Sequence, residues 1–253
     1  MQTYSDAPKM FVPGKALAMW TVILLGVEAL AELADIGVAT AQLALASNYP
    51  ETAAAALGPG GADVSEMPGG NFQVIVLLLD GTVSFFGFAI LISTLVVFLV
   101  WLHRAYNNLP SLGVPHPDFS SGWVVGSWFV PFLNLVRPYQ IVKYIRDKSD
   151  PDTVNAAGGY YDTGGNFTLK AWWGFWLACN IVDNLSARIY WNAVKLDDHV
   201  AAGWAGVFGS GLTVIAACLA IAVVRDINSR QEERRKRLTD ASQQQFWAAG
   251  ASG

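Results

Sequence analysis

Charge is scarce in this sequence. Only 14% of the 253 residues are Asp, Glu, Lys or Arg, against 53% hydrophobic, whereas a soluble domain carries about a quarter charged residues. With a mean hydropathy of +0.35, this balance argues for a polytopic membrane protein. The net charge of -4 is small and gives nucleic-acid binding no support. Cysteine is scarcer still. Cys179 and Cys218 both fall in apolar runs without a CxxC or Cys/His companion, which excludes a disulfide framework and predicts two buried thiols. His103, His116 and His199 lie far apart and lack metal-type spacing, so neither a metal nor a cofactor is expected. There is no nucleophile–base pair, HExxH or phosphate loop, and no catalytic residue is assigned.

What the chain has is long apolar runs, and they predict an all-α integral membrane fold with four transmembrane helices, at about 16–38, 73–102, 169–191 and 203–224. Each meets the requirement of about 20 residues for crossing a bilayer core. A polar tail, residues 1–14, precedes this 15–224 membrane domain, and a basic tail, 225–253, follows it as a helix continuing into water. Lys9, Lys15 and the run Ala16–Val27 also resemble a cleavable signal peptide, but the apolar pattern continues past Ala31. Residues 48–71 read as a flexible Ala/Gly/Pro-rich loop without Lys or Arg. The third run has Trp172, Trp173 and Trp176 at one end and Tyr190 and Trp191 at the other, as aromatic belts would. In the fourth, Gly206, Gly209, Ser210, Gly211 and Ala217 permit close helix approach.

Between the second and third runs lies a broken segment, 122–148. Trp123 to Val130 is too short to span before Pro131 interrupts it. It is expected to be re-entrant or surface-lying. Leu135, Pro138, Ile141, Val142 and Ile145 then recur at helical spacing, predicting an amphipathic helix in the interface. That helix should begin near Val136 or Arg137, with Asn134 as a candidate cap.

The string Arg104-Ala105-Tyr106-Asn107-Asn108-Leu109, with Leu112-Gly113, Gly122-Trp123, Gly126, Trp128-Phe129-Val130-Pro131-Phe132, Asn134-Leu135 and Arg137-Pro138-Tyr139, resembles the bacterial membrane family known as domain of unknown function 4328. Trp172-Trp173 followed by Asn180 is similar to the same family. The pattern departs at Ser127, where a bulky aromatic is more usual, and at Arg137. The resemblance implies architecture and brings no activity, substrate or catalytic residue.

Basic residues set the expected orientation. The predicted loop after the first span has no Lys or Arg, and the one after the third has only Lys195. The other side carries Lys9, Lys15, Arg104, Arg137, Lys143, Arg146, Lys148, Lys170 and the basic tail. By the positive-inside rule both termini are cytoplasmic, in a cell inner membrane. Arg230, Arg234, Arg235, Lys236 and Arg237 are candidate contacts to anionic lipid headgroups, each worth about 1 kcal/mol near the surface.

The costly residues are intramembrane. Glu28, Glu32 and Asp35 fall at i, i+4 and i+7 on one helix face. Asp80 in the second span, and Asn180, Asp183, Asn184 and Arg188 in the third, join them in the predicted outer half. A charge at the centre of a membrane helix costs about 2.5–3.5 kcal/mol on insertion scales, so such residues are candidates for an ion site. The plainer reading is that Asp183 pairs with Arg188 and the asparagines bond across helices. Two functions are expected from different classes. The first is a non-enzymatic structural module binding a lipid, a protein partner or its own copy. The second is a small cation- or proton-coupled transporter or channel using the carboxylates, with Glu28 the deepest of them.

Overall fold

The computed structural model describes residues 10–58, 61–152 and 167–251. Lys9 and most of the loop between 149 and 167 lie outside them. The described residues are mostly helical, joined by turns and irregular segments, and contain no strand. In chain order the helices are α1 Lys15–Asn48, α2 Pro50–Leu57, α3 Gly70–Asn107, α4 Ser121–Gly126, α5 Arg137–Lys148, α6 Phe167–Trp191 and α7 Leu196–Ala251. Short 3₁₀ turns occupy Pro110–Leu112 and Leu133–Leu135.

Two of these helices, α3 and α7, are long and apolar enough to cross a membrane. The expected four spans therefore reduce to two on length and composition. The reason is polar interruption: Glu28, Glu32 and Asp35 break the apolarity of α1, and Asn180, Asp183, Asn184 and Arg188 that of α6. Boundaries also move. The predicted loop at 48–71 contains α2, whose proline sits in the first turn, with Glu51 beside it and four alanines behind, a good local recipe for a helix. Two successive glycines then bring the chain to α3. Gly69 has φ +75°, and a Cβ there would meet the Tyr49 ring. Gly70 packs against the Val64 carbonyl with no room for a side chain.

The chain packs as two compact units. The first comprises 1–23, 95–169 and 221–253, and the second 24–94 and 170–220. In the first unit Trp101, Leu102, Leu109, Leu112, Val124, Val224 and Ile227 are almost fully buried, and so are Ile141, Val142 and Ile145 of α5. The expected interfacial helix is thus corrected in its environment. Its apolar face is covered by the protein itself and not offered to lipid, because an apolar stripe specifies burial without specifying what buries it. α5 begins at Arg137, as its proline required, but no side chain caps it, Asn134 included.

Residues 122–136 form no continuous helix. α4 is six residues long and is followed by turns, with Phe132 at φ 63°, a strained position for a bulky residue that costs about 1–3 kcal/mol. Trp128 turns inward, edge-on to Phe98 at 5.4 Å. Trp123, Phe129, Val130, Phe132, Leu135 and Val136 are exposed. Of the two thiols expected to be buried, Cys179 is, whereas Cys218 is exposed on α7. Both are free.

Candidate functional site: an acid-lined cavity

The second unit carries a half-open cavity of about 570 Å³. α1 contributes Glu28, Glu32, Asp35 and Gln42 to its wall, and α3 contributes Phe88. α6 adds Asp183, Tyr190 and Trp191, and α7 adds His199 and Ser210. The i, i+4, i+7 spacing read on α1 thus delivers three carboxylates to one space, with Asp183 joining from a residue far along the chain. No Lys or Arg lines it among the described residues.

Each carboxylate is held differently. Asp35 accepts a hydrogen bond from the Ser210 hydroxyl at 3.1 Å, and Glu32 lines the cavity beside it on the same helix. Asp183 occupies a notch in α7: a Cβ at Gly209 would overlap its Oδ1. This is the close approach for which the small residues of α7 provide. Glu28 is the least accessible, only 8% exposed, and its Oε2 is buried without a hydrogen-bond partner. A buried polar oxygen without a partner costs about 1–3 kcal/mol, so this atom calls for an explanation.

His199 brings a second such atom. Its ring meets Tyr190 edge-on at 5.5 Å, and its Nδ1 is buried without a partner. The sequence reading treated His199 only as a rejected metal ligand. The signal for its place was the helix start. α7 begins at Leu196, before the predicted span, with Asp197 and Asp198 in its first turn. The Asp198 carboxylate accepts N–H bonds from Lys195 at 3.1 Å and Val194 at 3.2 Å, and these hold its pKa below the usual range. An acidic first turn is a readable helix-start signal, and it sets His199 on the helix.

Other predicted members of the cluster stand apart. Asp80 is half-buried on α3 beside Gln42 but outside the cavity wall. Asn180 donates to the Trp176 carbonyl at 2.6 Å and Asn184 to the Asn180 carbonyl at 2.7 Å. Both bond back along α6, where cross-helix bonds were expected. Arg188 is exposed, lines no part of the cavity, and forms no ion pair with Asp183 among the described residues. The plain pairing of those two does not occur. No group of three His, Cys, Asp or Glu among the described residues is placed to hold a metal ion.

The basic residues of α7 belong to the first unit. Arg230 bridges Asp226 at 2.8 Å and Asp150 at 2.5 Å; these bonds raise its pKa against the opposing effect of burial. Asp226 also takes Arg146 at 2.6 Å. Arg234 is buried and donates to the carbonyls of Leu112 at 2.7 Å and Asp150 at 2.5 Å. Arg235 pairs with Glu232 at 3.1 Å and lies over the Phe11 ring. Arg237 pairs with Asp152 and Glu233, and Lys236 is exposed. Of the five residues put forward as lipid contacts, Arg230 and Arg234 are therefore turned into the protein.

A family model described as a domain of unknown function, DUF4328, matches residues 77–229, more than half of the chain. The chain belongs to the DUF4328 family. No match is found among curated proteins or among solved structures. Within this DUF4328 protein the motif residues do structural work in the first unit. Asn108 pairs with the backbone of Val12 through both ends of its amide, at 3.0 and 2.9 Å. The Tyr106 hydroxyl accepts from the Phe119 N–H at 2.9 Å and donates to the Phe119 carbonyl. Arg104 reaches the Pro13 carbonyl at 3.4 Å, and Pro138 opens α5. The matched region takes in Asp183, His199 and Ser210 but ends short of Glu28, Glu32 and Asp35, which lie before it.

Proposed function

We propose that this DUF4328 protein is a multi-pass membrane protein that binds a cation in the acid-lined cavity. The observation that carries the reading is Glu28: a buried carboxyl group with an unpartnered oxygen, in a cavity lined by three further carboxylates and, among the described residues, by no Lys or Arg. Like charges gathered without a counter-ion repel, and a bound cation relieves that repulsion.

Surface chemistry supports the membrane setting. α3 is strongly apolar, yet only 17% of its most apolar window is buried, the reverse of a soluble core helix. On α1, Met19, Ile23, Val27 and Leu30 are exposed at the spacing of one helical stripe, while Glu28, Glu32 and Asp35 line the cavity. An apolar outer stripe and a polar inner one let α1 cross a bilayer despite its charges. On α6, Ile181 and Leu185 are exposed, and Asp183, also exposed, lines the cavity. Together with α3 and α7 this gives four spans. The distribution of Lys and Arg supports cytoplasmic termini and an extracytoplasmic position for the cavity. The exposed apolar residues between Trp123 and Val136 support burial of that segment in the bilayer surface.

Thermal unfolding of the purified protein in detergent tests the reading, with a panel of protons, alkali and alkaline-earth ions and organic ammonium ions. At least one cation is expected to raise Tm for the wild type and not for Glu28→Gln. A wild type that responds to none, or a Glu28→Gln variant that responds equally, overturns it. An exclusively structural or lipid-binding module predicts the first of these, a wild type that responds to none.

A further inference from the structure

Resting on the cation-binding reading, we infer that the cavity takes a linear polyamine, an alkyl chain carrying two or more ammonium groups. Three observations narrow the ligand to this class. The volume of about 570 Å³ is that of a small-molecule pocket, for which about 300–1,000 Å³ is usual. A bare ion or a proton would fill only a small part of that volume. The donors also fail the geometry of a metal, since no three of them are close enough together to hold one among the described residues. Their charge is instead drawn out along the cavity. Glu28 and Asp35 are seven residues apart on α1, about 10 Å along a helix axis, and Asp183 faces them from α6. One ammonium group cannot neutralise carboxylates at both ends of that line. A chain with several can, placing one charge beside the accessible edge of the Glu28 carboxyl group and another by Asp35, where Ser210 already holds one carboxylate oxygen.

The rest of the wall suits the alkyl part. Tyr190 and Trp191, both exposed, line the cavity, and aromatic faces accept both methylenes and ammonium groups. Among the described residues no Lys or Arg lines the wall to pair with the carboxylates, and His199 stands there as a nitrogen base.

Equilibrium dialysis of labelled spermidine against the full chain in lipid nanodiscs tests the inference, with sodium, potassium, magnesium and tetramethylammonium as competitors. The expected result is saturable binding of one spermidine per chain that the inorganic ions displace only at large excess. Glu28→Gln weakens it about thirtyfold or more, as loss of one partner of a buried charge pair does, and Trp191→Ala weakens it while leaving α1 untouched. The helical circular dichroism of both variants is compared with the wild type, so that misfolding is recognised; a misfolded Glu28→Gln passes the decision to Trp191→Ala. Binding of an inorganic cation that depends on Glu28, with no spermidine binding, overturns the polyamine assignment and leaves the cation site standing. Spermidine binding unaffected by either folded variant also overturns the assignment, because it reports surface charge only. Failure of every cation to bind overturns both.

Discussion

Replacing Arg234 with methionine separates a structural arginine from a surface one. The guanidinium is buried, its Nε donating to the Leu112 carbonyl and its Nη1 to the Asp150 carbonyl. Burial lowers its pKa, offset in part by Asp150. Each hydrogen bond from a charged group contributes about 1.5–3 kcal/mol, so losing the two removes about 3–6 kcal/mol. Removing the charge also relieves a desolvation penalty. The net expected loss is about 2–4 kcal/mol. The control is its neighbour. Arg235 is exposed and pairs with Glu232 at 3.1 Å, a surface pair worth about 0–1 kcal/mol, so Arg235→Met is expected to cost under about 1 kcal/mol. Denaturant titration in detergent, followed by circular dichroism and by trypsin cleavage within 225–251, reads both variants. Arg234→Met should shift the midpoint strongly and open that segment to trypsin, while Arg235→Met should do neither. Equal effects, or none from Arg234→Met, would refute the reasoning that α7 is clamped to the first unit through these bonds.

Gly209→Ala forces a Cβ onto Asp183 Oδ1 and is expected to destabilise by about 1–3 kcal/mol and to abolish the cation-dependent rise in Tm, both readable in one thermal series. Tyr106 and Tyr144 have phenol pKa values raised above the usual value, chiefly by burial. Because the neutral form is favoured in the folded state, their contribution is complete below about pH 10 and is lost as pH rises through the folded values. Ultraviolet titration should show two late-ionising tyrosines, one fewer in Tyr106→Phe. Asp198 runs the other way: the N–H bonds from Lys195 and Val194 depress its pKa, so its stabilisation is present above about pH 3.9 and disappears as pH falls through the folded value. Asp198→Asn should lower hydrogen-exchange protection at the start of α7 at neutral pH and make that turn less sensitive to acid.

The carboxylate face of α1 was legible in the sequence because three acids at i, i+4 and i+7 have only one helical interpretation. Asp183 could be named from its apolar surroundings, but the notch at Gly209 that seats it could not, since small residues announce close approach without naming the partner. Arg188 illustrates the converse: a polar stripe on α6 was visible, yet only three-dimensional packing divides it into Asp183 on the cavity and Arg188 outside it. His199 was overlooked because the start of α7 was set by hydropathy, which ignores the acidic first turn that begins the helix earlier. α5 was correctly bounded by Pro138 but given lipid as its apolar neighbour, when the protein supplies one. The basic residues of α7 read as a charge patch, whereas Asp150, eighty residues from Arg230, and Asp226, one turn before it on α7, turn part of that patch into an internal clamp.

Infrared difference spectroscopy on the reconstituted protein, with cation exchanged in and out of the film, tests the central claim most directly, because it reads the carboxyl groups themselves. The account predicts carboxyl and carboxylate difference bands on cation addition, with the Glu28 component missing in Glu28→Gln. A wild-type spectrum without carboxyl bands, or one that Glu28→Gln leaves unchanged, would contradict it.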